Sequence, residues 1–445
     1  MTQTSRDVVP FREAVRTWFA ISLQTFGGPA GQIAVMHRVL VDERRWIGER
    51  RFLFALSYCT LLPGPEAQQL ATYIGWLLNG VRGALVAGTL FVLPGVVALL
   101  GLSAIYVGYG DSTVVEAIFA GLAPAVVAIV VQAVVRVARR GLETRAHWLI
   151  AITAYLALTF FSVPFPLVVL GAALAGWLLG RGRPRAPEAA PDGPAPLISD
   201  ADLHQETPSA RRNLGLLALG LVLWLGPVLV AAIVLGRSSV LVDQGLFFSG
   251  TALVTFGGAY AVLSYVAHQA VSVYGWLAPG EMVRGLALAE STPGPLIMVV
   301  QFVAFLGGYR DPGSLNPWVA AVLAALLTTW VTFVPCFGFI LLGAPYVERL
   351  RRNQVLASAL SGVTAAVVGV IANLATYFAL HTLFTETDRH RWGPLHLEVP
   401  VLSALDLAAV SVAVLGAILL FGRGWGVLRT LGTCAVAGAL LHGIA

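Results

Sequence analysis

Two tripeptides carry the most telling chemistry in this sequence: Pro63-Gly64-Pro65 and Pro293-Gly294-Pro295, each set between short apolar runs. Proline lacks an N–H and breaks an incoming helix, glycine permits the turn, and a second proline suits the first position of the next helix. The amides that follow are left without intrahelical acceptors. A helix N-terminus with free amides carries positive partial charge and takes anions. A second pair of breaks, Thr25-Phe26-Gly27-Gly28 and Thr255-Phe256-Gly257-Gly258, sets a hydroxyl beside each glycine pair. Polar residues flank the tripeptides. Glu66, Gln68 and Gln69 follow the first; Glu290, Ser291 and Thr292 precede the second.

These breaks and their flanking hydroxyl and amide side chains form the candidate substrate-binding set. The bland account of a Gly-Gly pair is a tight helix crossing through small residues. Four breaks in two matching pairs favour a substrate cavity. Glu66 and Glu290 are the coupling candidates, because a carboxylate at membrane depth is costly and functional by default. Glu66 also reads as a local cap, since a carboxylate at a helix start competes with a bound anion. Arg38 and His268 occupy equivalent positions and are candidate cations at an entrance, with Arg38 also suited to fixing topology. Glu116 and Asp406 fall in the first turns of their helices and read as interfacial.

Composition sets the environment. Of 445 residues, 57% are hydrophobic and 11% are charged, against about 25% charged in soluble domains. Mean hydropathy is +0.80. Apolar runs approach the roughly 20 residues that span a bilayer core, so the chain reads as an all-α polytopic membrane protein. All 28 basic residues are Arg, which excludes Lys-based Schiff-base or P-loop chemistry. Cys59, Cys336 and Cys434 stand far apart in apolar segments and read as free thiols; no metal-type spacing occurs, and no cofactor is expected. Residues 1–10 lack the apolar core of a signal peptide.

The stretch Arg181–Arg212 is rich in proline and charge and reads as a flexible cytoplasmic linker between two membrane halves. A shift of 230 positions lays Thr25–Gly28 on Thr255–Gly258, Trp46 on Trp276 and the first Pro-Gly-Pro on the second; a shift of 241 lays Pro94 on Pro335 and Gly121 on Gly362. Corresponding loops carry opposite charge bias: Arg38–Arg51 holds five Arg and His268–Glu281 none, whereas Arg349–Arg352 holds three and Gly108–Asp111 none. By the positive-inside rule such loops lie on opposite sides, which makes an inverted-topology repeat of the secondary-transporter kind. The expected units are residues 1–180, the linker 181–212, an inverting transmembrane segment within 213–244, and 245–445. Broken hairpins are expected at Phe11–His37, Phe52–Leu78, Gly245–Val271 and Glu281–Leu306. They read as re-entrant hairpins or as pairs of full crossings; charge bias does not separate the two. With further spans, including one from Val401 to Phe421, the count is about 13 apolar segments. The N-terminus is expected in the cytoplasm and the C-terminus on the opposite side.

The runs Phe26-Gly-Gly-Pro-Ala-Gly-Gln-Ile33, Arg45-Trp46 and Leu62-Pro-Gly-Pro65 resemble the first domain of the chromate ion transporter family. Phe256-Gly-Gly258 and Pro293-Gly-Pro295 are similar to its second domain, as in a long, two-domain member. The resemblance implies an inner-membrane exporter of chromate that competes with sulfate and confers chromate resistance. The halves differ where Glu66-Ala-Gln-Gln69 becomes Leu296-Ile-Met-Val299. The expected partners are a small inorganic oxyanion, the bilayer and a second copy as a homodimer, with no nucleic acid. One rival is an uptake carrier for sulfate or another oxyanion, with Glu66 or Glu290 carrying a proton. Another is an enzyme of the undecaprenyl pyrophosphate phosphatase type, but neither Pro-Gly-Pro has the adjacent Arg that phosphate chemistry needs.

Overall fold

The computed structural model of the chain describes residues 8–26, 28–60, 62–110, 112–180, 197–198, 203–204, 209–256, 259–346, 354–393 and 395–444. These are helical almost throughout. The first half runs α1 (Phe11–Ser22), α2 (Gly28–His37), a π-helical turn (Arg38–Glu43), α3 (Glu49–Cys59), α4 (Glu66–Tyr109), α5 (Thr113–Gly141), α6 (Arg145–Phe161) and α7 (Phe165–Gly180). A linking helix, α8 (Ala210–Leu235), follows. Then come α9 (Val240–Val254), α10 (Ala259–His268), a second π-helical turn (Gln269–Val273), α11 (Glu281–Ser291), α12 (Val299–Arg310), α13 (Pro317–Gly343), α14 (Gln354–Leu383), α15 (Leu407–Ala417) and α16 (Val427–Ile444).

Five of these helices, α4, α5, α8, α13 and α14, are long and apolar enough to cross a membrane. The lipid solvent is legible on α8, where Trp224 and Val228 alone are buried and Ile233 is 74% exposed. Other helices are too short to cross: the 10 residues of α2 rise about 15 Å, half of a ~30 Å core. By the same rule the 44 residues of α4 would overshoot, and the helix is broken at Asn79 (φ −140°) and Gly80 (φ 59°, ψ −150°). A short arm up to Leu78 is thereby separated from a spanning arm. The positive φ explains glycine at position 80.

Small residues let the long helices meet backbone to backbone. A Cβ on Gly362 of α14 would lie 2.7 Å from the Cα of Gly176 on α7, and one on Gly438 of α16 only 2.2 Å from the Cα of Gly121 on α5. Without a hydrophobic drive between helices in lipid, such close packing carries association. The core is shared across the halves. Ile340, Leu341 and Ala344 from the end of α13 join the cluster built by α1, α3 and the short arm of α4. In return, Val92, Leu99 and Tyr106 of α4 join the larger cluster of the second half.

Two expected helix starts move. The span drawn from Val401 begins instead at Leu407, because the Asp406 carboxylate accepts the Ala409 N–H at 2.9 Å and caps the helix. Ahead of it lies an antiparallel hairpin, β1 (Thr387–Trp392) with β2 (Leu395–Pro400), an addition to the all-α expectation. The helix expected from Gly245 begins instead at Val240, since the Ser239 hydroxyl caps α9 through the Leu241 N–H. Of the linker 181–212, residues 181–196, 199–202 and 205–208 lie outside the described residues, as do 347–353 with their expected Arg cluster. The described linker residues are docked: Leu197 donates its N–H to the Arg45 carbonyl at 2.7 Å, His204 donates to the Leu77 carbonyl at 2.8 Å, and Leu203 is buried.

The two short arms, in α4 and α12, end on different clamps. At the end of α4's short arm the carbonyl of Leu78 accepts from the Val8 N–H at 3.1 Å, and Asn79 Nδ2 donates to the Val9 carbonyl at 2.7 Å. At the end of α12, Arg310 forks onto both Glu281 oxygens at 2.7 and 2.8 Å, and Tyr106 of α4 donates to Glu281 at 3.1 Å. The Arg310 side chain is 42% exposed and Glu281 10%. Replacing Arg310 by Met should leave the shielded carboxylate short of partners. The expected cost is about 1–3 kcal/mol, below that of a fully buried pair because water reaches the guanidinium. A lowered thermal midpoint of the detergent-solubilised protein, restored in part by adding Glu281→Gln, would report it.

Candidate functional site

The two Pro-Gly-Pro turns have the same backbone and the same kind of partner. Gly64 and Gly294 adopt φ +116° and +114°, a region open to glycine. The Gly64 N–H donates to the Thr255 carbonyl at 2.7 Å, and the Gly294 N–H donates to the Thr25 carbonyl at 2.9 Å. Each turn is thus held by the Thr-Phe-Gly-Gly run of the other half. Each turn also lies on a proline-containing helix of the other half. A Cβ on Gly64 would fall 2.7 Å from Cys336 Sγ, beside Pro335 of α13; a Cβ on Gly95, beside Pro94 of α4, would fall 2.7 Å from the Pro293 carbonyl. Glutamine amides hold the turns' carbonyls: Gln69 Nε2 donates to Pro63 at 2.6 Å and Gln32 Nε2 to Gly294 at 2.5 Å.

Between the turns lies a cavity of about 10 Å³, room for about one water. Its walls are the opening residues of four helical segments: Pro29 and Gln32 of α2, Pro65 to Ala67 of α4, Ala259 of α10, and Pro295 to Ile297 ahead of α12. Among the described residues, no backbone carbonyl accepts from the N–H groups of Ala67, Gln68, Leu296 or Ile297. Four helix starts aimed at one enclosed point favour negative charge there.

Buried polar atoms without partners gather in the same region. Gln68 is fully buried with neither side-chain Nε2 nor Oε1 paired among the described residues, and Gln69 Oε1, Gln32 Oε1 and Glu290 Oε2 are likewise unpaired. Each such atom costs about 1–3 kcal/mol in a dry interior. Water in the site removes that cost, whereas an anion pairs only with Gln68 Nε2, the one donor among these atoms.

The expected residues divide as follows. Gly28, Gly64, Pro65, Glu66, Gly294 and Pro295 lie at or beside the cavity, and Gln69 braces the first turn. Gly27, Gly257 and Gly258 lie outside the described residues. The hydroxyls of Thr25, Thr255, Ser291 and Thr292 donate to carbonyls one turn back, those of Ser22, Thr251, Leu288 and Ala289. The two threonines of the Gly-Gly runs act through their carbonyls, not their hydroxyls. Arg38 is half-exposed at the far end of α2, bonded to Gln24 Oε1 at 2.8 Å and paired with Glu43 at 3.4 Å. His268 is exposed at the far end of α10. Both stand about a helix length from the cavity, so neither touches an anion held there.

Three residues enter that sequence reasoning passed over. Gln32 lies one turn beyond Gly28, and an i,i+4 reading from the break would have found it. Tyr260, two residues after the second Gly-Gly, donates its hydroxyl to Glu290. Arg429 lines a wider cavity of about 400 Å³ that reaches Phe26 at the first break; a lone Arg in an apolar terminal helix was the signal.

A helical chain with membrane-length helices and an anion-favouring break buried between its halves defines a membrane transporter. The chain belongs to the chromate transporter family, whose model matches residues 12–177 and 242–439. It is similar to a chromate transport protein of Pseudomonas aeruginosa, with 33% identity over 379 residues, covering 83% of this chain and 82% of the relative. A chromate transport protein of Cupriavidus metallidurans is 26% identical over 380 residues, 84% of this chain and 83% of the relative. An uncharacterized transporter of Bacillus subtilis, YwrA, is 26% identical over 166 residues, which span 93% of its length but 36% of this chain. No solved structure matches the chain. The protein is therefore a multi-pass membrane transporter of this family and not an enzyme.

Alanine at either turn glycine must adopt a strained φ. At Gly64 it also meets Cys336 Sγ at 2.7 Å, whereas at Gly294 the nearest atom is the Gly95 Cα at 3.3 Å. Gly64→Ala should therefore lower stability and flux more than Gly294→Ala. Adding Cys336→Ala should recover part of the Gly64→Ala loss and nothing of the Gly294→Ala loss. Thermal midpoints and chromate flux in vesicles measure both.

Proposed function

We propose that this protein exports chromate across the bacterial inner membrane and so confers chromate resistance. The observation that carries the reading is the convergence of four helix starts on one buried cavity between the halves. A tetrahedral dianion bound there meets backbone amides from both halves. Gln68, whose Nε2 is unpaired among the described residues, adds a side-chain amide from the first half only, since Met298 stands in its place, while Gln69 keeps its amide on the Pro63 carbonyl.

The halves act as an inverted-topology pair, with the short helices forming re-entrant hairpins that meet at mid-membrane and about 13 apolar segments in all. Support comes from the opposite Arg bias of corresponding loops, from the reciprocal amide bonds at Thr25 and Thr255, and from YwrA, a transporter that matches this chain over 93% of its own length but only 36% of this chain's. The Arg-rich loop 38–51 faces the cytoplasm, which sets the N-terminus inside and the C-terminus outside. A cavity of about 10 Å³ holds about one water, so passage of an oxyanion requires the halves to rock apart, as alternating access demands.

The membrane potential suffices as the driving force. A dianion leaving a negative interior gains about 2.3 kcal/mol per charge per 100 mV, roughly 4.6 for two charges. Backbone amides discriminate poorly between tetrahedral dianions, so sulfate should compete. The second reading is uptake of sulfate or another oxyanion with a proton, which the buried carboxylate of Glu290 favours. Purified protein in oriented vesicles separates the two. With the cytoplasmic face negative, chromate should move toward the opposite face, and reversing the potential should reverse it. Flux that follows an imposed pH gradient and ignores the potential would favour uptake and overturn export by potential alone.

A further inference from the structure

We infer that Glu290 is the site where a proton binds together with the oxyanion, and that Tyr260 positions it. The inference deepens the transport reading and rests on it. Sequence offered both Glu66 and Glu290 for this role, and the structure separates them.

Glu66 is the first residue of α4, partly exposed at the cavity wall. Glu290 is different: it is 1% exposed at the end of α11. Its Oε1 accepts from the Tyr260 hydroxyl, and its Oε2 has no partner among the described residues. The cation whose field reaches it is Arg136 of α5, and Tyr260 of α10 is the other ionisable group against it. Among the described residues no partner bonds Oε2, so that oxygen is where a proton resides when the carboxyl is neutral.

The pair is adjacent to the anion cavity. Tyr260 follows Ala259, which lines it, and a Cβ on Gly28, next to the lining residue Pro29, would lie 3.7 Å from the Tyr260 hydroxyl oxygen. The phenol therefore bridges the start of α2 to Glu290. Four residues beyond Glu290, the Gly294 amide is fixed on Thr25.

A dianion brought to the cavity raises the cost of a second negative charge nearby, so it draws a proton onto Glu290. Reciprocity then requires that protonation of Glu290 strengthen anion binding by the same factor. The proton added at Oε2 comes from solvent and returns there when the anion leaves; no covalent bond is exchanged. Moving one proton with each dianion leaves a single net negative charge per cycle. That halves the potential-driven gain of export, and it halves the cost of uptake to about 2.3 kcal/mol per 100 mV, which an inward proton gradient must then exceed.

The test is calorimetry of chromate binding to the purified full chain in nanodiscs, in buffers of different ionisation enthalpy, at a pH where the free anion is a dianion. Net proton uptake on binding is expected for the wild type, with affinity falling by up to about tenfold per pH unit where uptake is complete. Glu290→Gln should bind chromate without uptake, whereas Glu66→Gln should retain it. Tyr260→Phe should keep uptake but move its window to higher pH, because the charged carboxylate loses a hydrogen-bond donor. Should Glu290→Gln fail to fold, the Tyr260→Phe window decides, and an unmoved window overturns the inference. Uptake retained in Glu290→Gln, or lost in Glu66→Gln alone, also overturns it. Wild-type protein that does not bind chromate would overturn the transport reading itself, a distinct outcome.

Discussion

A backbone amide within a membrane protein has no water to fall back on, and that constraint organises this molecule. Each broken hairpin creates amides that no helix satisfies. The chain answers by crossing the halves: Gly64 finds the Thr255 carbonyl, and Gly294 finds that of Thr25. Neither half completes its own turn. The amides one step further along, at Ala67, Gln68, Leu296 and Ile297, are the remainder, and they surround the cavity. Those open amides are what the fold leaves undone, and the proposed anion site rests on them.

The same constraint explains the sequence of the turns. Glycine at 64 and 294 is required by φ near +115° and by close approach to the opposite half at Cys336 and Gly95. The prolines on α4 and α13 stand beside those contacts, where the helices must receive a turn rather than a side chain. Buried polar atoms without partners at Gln32, Gln68, Gln69 and Glu290 would be a defect in a structural protein. Beside the proposed transport cavity they are unspent acceptors and, at Gln68 Nε2, an unspent donor.

The two halves carry different residues at matching positions. The first brings Glu66, Gln68 and Gln69 to its turn, and the second brings leucine, isoleucine, methionine and valine at the matching positions. The second supplies instead the Glu290–Tyr260 pair and the Glu281–Arg310 fork. The end of α4's short arm is held by backbone from residues 8, 9 and 204, where the end of α12 is held by an ion pair.

Much of this was legible in the chain itself. Composition alone requires a lipid solvent, because an 11% charged chain of this apolar character cannot cover itself in water. Pro-Gly-Pro and Gly-Gly-Pro mark breaks because their effect on φ and on the N–H is local chemistry. Residues whose role depends on a distant partner were not legible. Gln32 and Tyr260 look like ordinary helix residues until Gly294 and Glu290, 262 and 30 positions away, are brought to them. The hydroxyls of Thr25 and Thr255 looked like ligands but turn back onto their own helices, a rotamer choice that spacing does not encode. Sequence determined where the helices break. Tertiary structure alone decided which carbonyl each broken end meets, because that partner belongs to the other half of the chain.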